Sequence, residues 1–249
     1  MYKQTSWKNV GDWYDSLVGE KGHFYHQQVI IPNLLRLLDL RPKSRLLDCG
    51  CGQGVLARSL PRGVEYTGID IADSLLTAAR GYRSEERRTF IRADLTKPWP
   101  ACGPFSHAAC ILALQNIEMP EKVFEELTKV LEPGAPALFV LNHPCFRIPR
   151  QSRWRVDEAA KRQNREIFSY MSPQKIPIVT HPGKGGTQTW SFHRPLSDYI
   201  TMGKRNGFVV EAIEEWCSPK KSEGSAARYE DRARKEFPLF MAILYRAKG

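Results

Sequence analysis

No stretch of this 249-residue chain is apolar for long enough to cross a bilayer. Its longest apolar runs, such as Ala108 to Leu114, fall far below the roughly 20 residues a spanning helix needs. The N-terminus has no apolar core of signal-peptide type, so a cytosolic protein is expected. Cysteine is sparse: Cys49, Cys51, Cys102, Cys110, Cys145 and Cys217 contain no C-x-x-C spacing, which argues against a zinc site and against a disulfide framework. Reduced, structural thiols are expected instead. Internal repeats and low-complexity tracts are also missing, which excludes solenoids and disordered arrays. Acids are the scarce charge, 27 against 37 Lys and Arg, for a net charge of +10. With 42% apolar residues, the chain is long enough to bury a substantial core as one unit.

The most informative positive feature is Leu46-Leu47-Asp48-Cys49-Gly50-Cys51-Gly52-Gln53-Gly54, an acid and three alternating glycines directly after a short apolar run. Glycines at alternate positions tolerate the positive φ of a tight strand-to-helix turn and let a ligand approach the backbone. The third glycine comes one residue after the second, so the G-x-G-x-x-G spacing of a dinucleotide site is not met. A second apolar strand candidate, Val64 to Asp70, ends in an acid sixteen positions beyond Gly54, where a carboxylate can accept hydrogen bonds from both hydroxyls of a ribose. A third, Thr89 to Leu95, ends at Asp94, placed to accept a hydrogen bond from the exocyclic amine of an adenine.

In order and role, the glycine loop, Asp70 and Asp94 resemble the class I S-adenosylmethionine-dependent methyltransferases. Phe105 to Ile117 looks like that family's fourth strand with the loop flanking the methyl donor. Leu131 to Val140 looks like its fifth strand with the preceding Pro-Gly turn. Two departures stand out: Ser106 replaces a common acid, and Ala135 the second glycine of the usual Pro-Gly-Gly. The resemblance implies a Rossmann-like, doubly wound α/β sheet of about seven strands with the last strand antiparallel. It implies S-adenosyl-L-methionine as cofactor and S-adenosyl-L-homocysteine as product. The donor residues it implies are Tyr14, Asp48, Gly50, Gly52, Gly54, Asp70, Ile71, Asp94, Leu95, Cys110 and Gln115. Tyr14 enters through Trp13-Tyr14-Asp15, which resembles the family's aromatic-Tyr-Asp element near the methionine end of the donor; His26 is a weaker candidate there.

Strand and helix signals alternate from Ser44 to Val140. Asp73 to Gly81 reads as a helix with an acidic start and a glycine stop. Pro120 to Leu131 reads as another, with Glu125 and Glu126 facing solvent. The expected organisation is a single domain: an N-terminal cap over 1–40, a donor-binding core over 41–142, a basic lid insertion over 143–195 and the C-terminal part of the sheet over 196–249. At the end of the insertion Thr189 to Pro195 is expected as an edge strand before a helix at Leu196, and in the last part Phe240 to Tyr245 as the strand that closes the sheet. The insertion holds ten Lys or Arg against three acids, a local charge of +7, suited to a carboxylate, a phosphate or an RNA backbone.

Methyl transfer from a sulfonium needs a base only if the acceptor must lose a proton, and His143, then His193, are the candidates for that role. No metal is required. The loop Leu114-Gln115-Asn116-Ile117 lacks the Asn/Asp-Pro-Pro-Tyr pattern that clamps planar amino nitrogens, so a small-molecule acceptor of the quinone-biosynthesis type leads, methylated on O, C or N. An RNA or protein methyltransferase docking through the insertion is the alternative. A non-catalytic donor-binding scaffold is the third reading.

Overall fold

A computed structural model describes residues 22–82, 88–100, 103–179 and 188–248. A π-helical turn, His26–Ile30, runs into helix α1, Ile31–Leu38. Then follow β1 (Arg45–Cys49), β2 (Glu65–Asp70), α2 (Asp73–Gly81), β3 (Arg88–Arg92), β4 (His107–Ile111), α3 (Glu121–Val130) and β5 (Pro136–Asn142). Beyond β5 come two hairpins, β6 (Ser152–Asp157) with β7 (Arg162–Ile167), and β8 (Gln174–Val179) with β9 (Gln188–His193). Helix α4 (Leu196–Arg205), β10 (Phe208–Trp216), α5 (Ala227–Glu236) and β11 (Phe240–Ala247) complete the chain.

Seven strands form one sheet in the order β10-β11-β5-β4-β1-β2-β3. The five strands β1 to β5 are mutually parallel, and β11 lies antiparallel to both β5 and β10. Period-2 alternation divides the strands' side chains between two cores. Leu46 packs with Ile30, Leu34, Leu38 and Leu76 on the α1 and α2 side. Leu47 packs with Val123, Phe124, Leu127 and Tyr199 on the α3 and α4 side. Phe124 stacks on Phe139 with ring centres 4.8 Å apart, and Tyr245 meets both edge-on.

Three sequence expectations are corrected. Phe240 to Tyr245 does not close the sheet: β11 is inserted between β5 and β10, so β10 is the edge. Gln188–His193 belongs to a separate two-stranded hairpin and not to an edge of the main sheet. Glu126 is buried, because its carboxylate accepts the Trp99 backbone N–H at 3.1 Å and pairs with Lys129 at 2.5 Å. Helical periodicity identified the helix but not this inward-turned acid. Among the described residues, no helix is long and apolar enough to cross a membrane.

Candidate functional site

In an open parallel sheet, ligands bind beyond the carboxyl ends of the strands where the strand order reverses, and here that point lies between β1 and β4. A cleft opens there, lined by His26, Asp48, Gly50, Cys51, Gly52, Gln53, Val55, Leu56 and Ile111. The three glycines of the loop all have positive φ, 79° at Gly50, 52° at Gly52 and 72° at Gly54. Gly50 also sits too close to a neighbour for a side chain, and Gly54 is tightly packed. A Cβ on Gly50 would lie 2.5 Å from the Ala113 Cβ, and one on Gly54 would lie 3.0 Å from the Phe90 ring. The contact with Ala113 presses the glycine loop onto the loop that follows β4. The segment after Gly54 makes only a short 3-10 turn, Ala57–Ser59, before Leu60 returns to extended backbone and Pro61 follows.

Carboxylates hold this loop from below. Asp70, at the end of β2, accepts the Gly52 N–H on Oδ2 and the Ala72 N–H on Oδ1, both at 2.8 Å. Burial raises its pKa, against the lowering effect of the nearby Ala72, Gly52 and Ile71 backbone N–H groups. Asp48 is almost fully buried on β1 and accepts the Tyr66 hydroxyl at 2.8 Å on Oδ2. Burial pushes its carboxyl up to about 7; the Tyr66 bond opposes the rise and the Asp70 charge adds to it. Three buried polar atoms of cleft residues have no protein partner: Asp48 Oδ1, Gln53 Nε2 and His26 Nδ1. The Gln53 amide is oriented by Arg58, which donates to its Oε1 at 3.0 Å. Burial lowers the His26 pKa to about 4, with a smaller contribution from His23, so the ring is neutral near pH 7.

The other expected residues are dispersed around this centre. Tyr14 lies outside the described residues. Asp94, at the turn after β3, receives the Thr96 N–H and hydroxyl on Oδ1, leaving Oδ2 for a ligand. Leu95 is buried, with its side chain 3.8 Å from where a Gly50 Cβ would sit. The Ile71 backbone N–H is among the groups that lower the Asp70 pKa. Cys110 is buried within the α3-side core, and burial pushes its thiol pKa up. Gln115 donates Nε2 to the Leu112 carbonyl at 3.0 Å, while its Oε1 is buried without a partner. His143 is buried at the end of β5; its Nδ1 accepts the Cys145 N–H at 3.2 Å and its Nε2 donates to Glu215 Oε1 at 2.6 Å. Both ring nitrogens are therefore occupied, with no lone pair left for an acceptor's proton. His193, on β9, donates Nε2 to the Tyr170 carbonyl at 2.6 Å and keeps the Nδ1 lone pair.

The glycine motif alone did not single out Tyr66, Gly68 or Leu112. A glycine in mid-strand signals close approach of another group, and Gly68 has that role: a Cβ there would lie 2.7 Å from Cys51 Sγ and 2.8 Å from the Tyr66 hydroxyl oxygen. Gly68→Ala is expected to destabilise the fold by about 1–3 kcal/mol, read as a lowered thermal midpoint. An unchanged midpoint would show that the Tyr66–Asp48 contact yields without cost. Ser106, at the position of the missing acid, is structural: its hydroxyl accepts the Arg45 N–H at 2.8 Å and bonds His107 Nδ1 at 2.8 Å.

Comparison with known proteins agrees with this geometry. The family described as a methyltransferase domain matches residues 47–139, the span from β1 through most of β5. The ubiquinone biosynthesis O-methyltransferase of Chromobacterium violaceum is 33% identical over 156 residues, 59% of this chain and 66% of the relative. That of Hahella chejuensis is 31% identical over 137 residues, 51% of this chain and 55% of the relative. The chain thus matches about half to just under two thirds of the length of these relatives. A solved S-adenosylmethionine dependent methyltransferase from Mesorhizobium loti superposes with a TM-score of 0.69 at 24% identity, covering 88% of this chain and 99% of that one, a likeness of fold.

Proposed function

We propose, from the premise that residues 47–139 form a class I S-adenosylmethionine-dependent methyltransferase domain, that this protein is an enzyme methylating a small molecule. The observation that carries the reading is the set of three unpartnered buried polar atoms, Asp48 Oδ1, Gln53 Nε2 and His26 Nδ1, belonging to residues of one cleft at the sheet's switch point. An acceptor, a donor and a neutral imidazole suit the α-ammonium and carboxylate of the methionine moiety. The relatives' names favour oxygen as the acceptor atom, with carbon and nitrogen as the alternatives.

The bound cofactor supplies a sulfonium-activated methyl group for in-line displacement. The chain's own work is to bind, align and exclude water. Asp48 would receive the α-ammonium, and the glycine loop gives the backbone close approach. Asp70 retains lone pairs for the ribose hydroxyls after taking two backbone N–H groups, since an ionised carboxylate offers about four acceptor sites. Asp94 would take the adenine amine on Oδ2. Alignment of acceptor and methyl can account for about 7–11 kcal/mol of barrier. Where the acceptor must lose a proton, His193 Nδ1 is the residue for it, because His143 is committed to Cys145 and Glu215.

The insertion supports a small acceptor over an RNA. Arg153 and Arg155 pair with Glu166, Arg165 bonds the Phe146 carbonyl and the Ser152 hydroxyl, and Lys175 pairs with Glu118. Four of the insertion's ten cations are thus held by contacts within the protein. Calorimetry with S-adenosylmethionine, followed by transfer of radiolabelled methyl into fractionated cell extract, tests the proposal. Donor binding with label in a small-molecule fraction is expected; no donor binding, or binding without transfer, would sink it. Label in RNA, with binding that weakens steeply with salt, would establish the alternative.

A further inference from the structure

Strand β9 buries its polar side. Alternation places Thr189, Ser191 and His193 on one face and Trp190 and Phe192 on the other, and all three polar residues are buried. Opposite them across the hairpin stand Ile178, Ile176 and Gln174, so no Lys or Arg occupies this face of β8 or β9. The cations lie on the aromatic side. Lys175 Nζ is 5.0 Å from the Trp190 ring centre and 5.5 Å from that of Phe192, and the Arg194 guanidinium is 5.5 Å from Phe192. Both cations also clamp the hairpin to the loop after β4: Lys175 pairs with the Glu118 carboxylate at 3.2 Å, and Arg194 donates to the Glu118 carbonyl at 2.6 Å.

The hairpin so clamped packs β9 against the 3-10 turn Leu114–Asn116. Each of these two elements carries a buried polar atom without a partner, Thr189 Oγ1 on one and Gln115 Oε1 on the other. Gln115 is held in place. The Leu112 carbonyl accepts both Gln115 Nε2 and Asn116 Nδ2, and Leu112 itself adopts φ 53°, a left-handed conformation unusual for leucine. Ala113, between them, is the residue pressed on Gly50 of the donor loop. Unmet polar groups so buried destabilise a fold and mark a surface shaped for something else.

We infer that Thr189, Ser191, His193 and Gln115 form the acceptor subsite, and that the acceptor is an uncharged molecule presenting at least two hydrogen-bonding groups, one of them a donor for Gln115 Oε1. The inference rests on the methyl-transfer reading and deepens it. An anion placed here would be desolvated against hydroxyls, an amide and the His193 imidazole, whose pKa burial lowers, with no Lys or Arg on the face.

The full-length protein, labelled methyl donor and fractionated extract test it, with products run through anion and cation exchangers in series at neutral pH. Label is expected in the fraction that neither exchanger retains. Thr189→Val is expected to lower the initial rate into that fraction about tenfold or more and to leave the donor Kd by calorimetry within about twofold. It should also raise the thermal midpoint of the donor-free protein by about 2–4 °C, because an isosteric methyl replaces a hydroxyl with no partner. A product retained as an anion, a lowered midpoint or an unchanged rate would each overturn the subsite alone. Donor binding without label in any fraction would overturn the methyl-transfer reading itself, and the subsite with it.

Discussion

Replacing Asp70 with alanine is expected to lower affinity for S-adenosylmethionine by roughly 10²–10⁴-fold, the loss of two charge-assisted hydrogen bonds worth about 1.5–3 kcal/mol each. The carboxylate has two tasks in this cleft. In the proposed donor site it would meet the ribose hydroxyls, and it accepts the Gly52 and Ala72 N–H groups that shape the loop. Alanine removes both, so the thermal midpoint should fall together with the affinity. Asp70→Asn separates them: the amide oxygen keeps one backbone bond, while its NH₂ opposes the other N–H. Calorimetric titration of both variants gives the ranking, with Asn intermediate. An alanine variant that binds within threefold of the parent would remove Asp70 from the donor site.

The second large effect is a pH dependence centred on Asp48. Its folded pKa, about 7, lies above the ordinary carboxylate value chiefly because the group is buried. The sign for stability follows directly. A raised carboxyl binds its proton more tightly in the folded state, so donor-free stability falls as pH rises from about 4 to about 7 and is flat above. Asp48→Asn should therefore raise the thermal midpoint most at pH 8 and scarcely at all below pH 4. Donor binding runs the other way. The α-ammonium favours the ionised carboxylate, so affinity should drop about tenfold between pH 8 and pH 6 in the parent. In the asparagine variant the profile should be flat and low. A parent whose affinity is constant across this range would show that Asp48 does not meet the ammonium.

The donor half of this site is legible in the sequence because its requirements are backbone requirements. Gly50, Gly52 and Gly54 needed positive φ, Asp70 and Asp94 needed strand ends, and the order of five strands placed them together. The acceptor half is not legible in the same way. Composition showed a charge of +7 in the insertion but not that Glu166 and Glu118 would hold several of its cations. The side chain of His143 looked free at a strand end. Its capture by Glu215, 72 residues onward, is a tertiary contact without a local signal. Likewise the strand at Phe240–Ala247 was readable as a strand, whereas its place between β5 and β10 is decided by pairing over a long sequence separation.

That placement has a consequence for biosynthesis. Strand β10 is joined to the sheet through β11, and β5 also waits for β11 along its outer side. While the ribosome is still making the residues after Trp216, two rows of unpaired backbone groups, on β5 and on β10, lie open to any neighbouring chain. Completion of the sheet is thus a late event in synthesis, and a transcript that stops before Phe240 would leave a nascent chain with sticky edges even though every residue of the donor cleft had already been made.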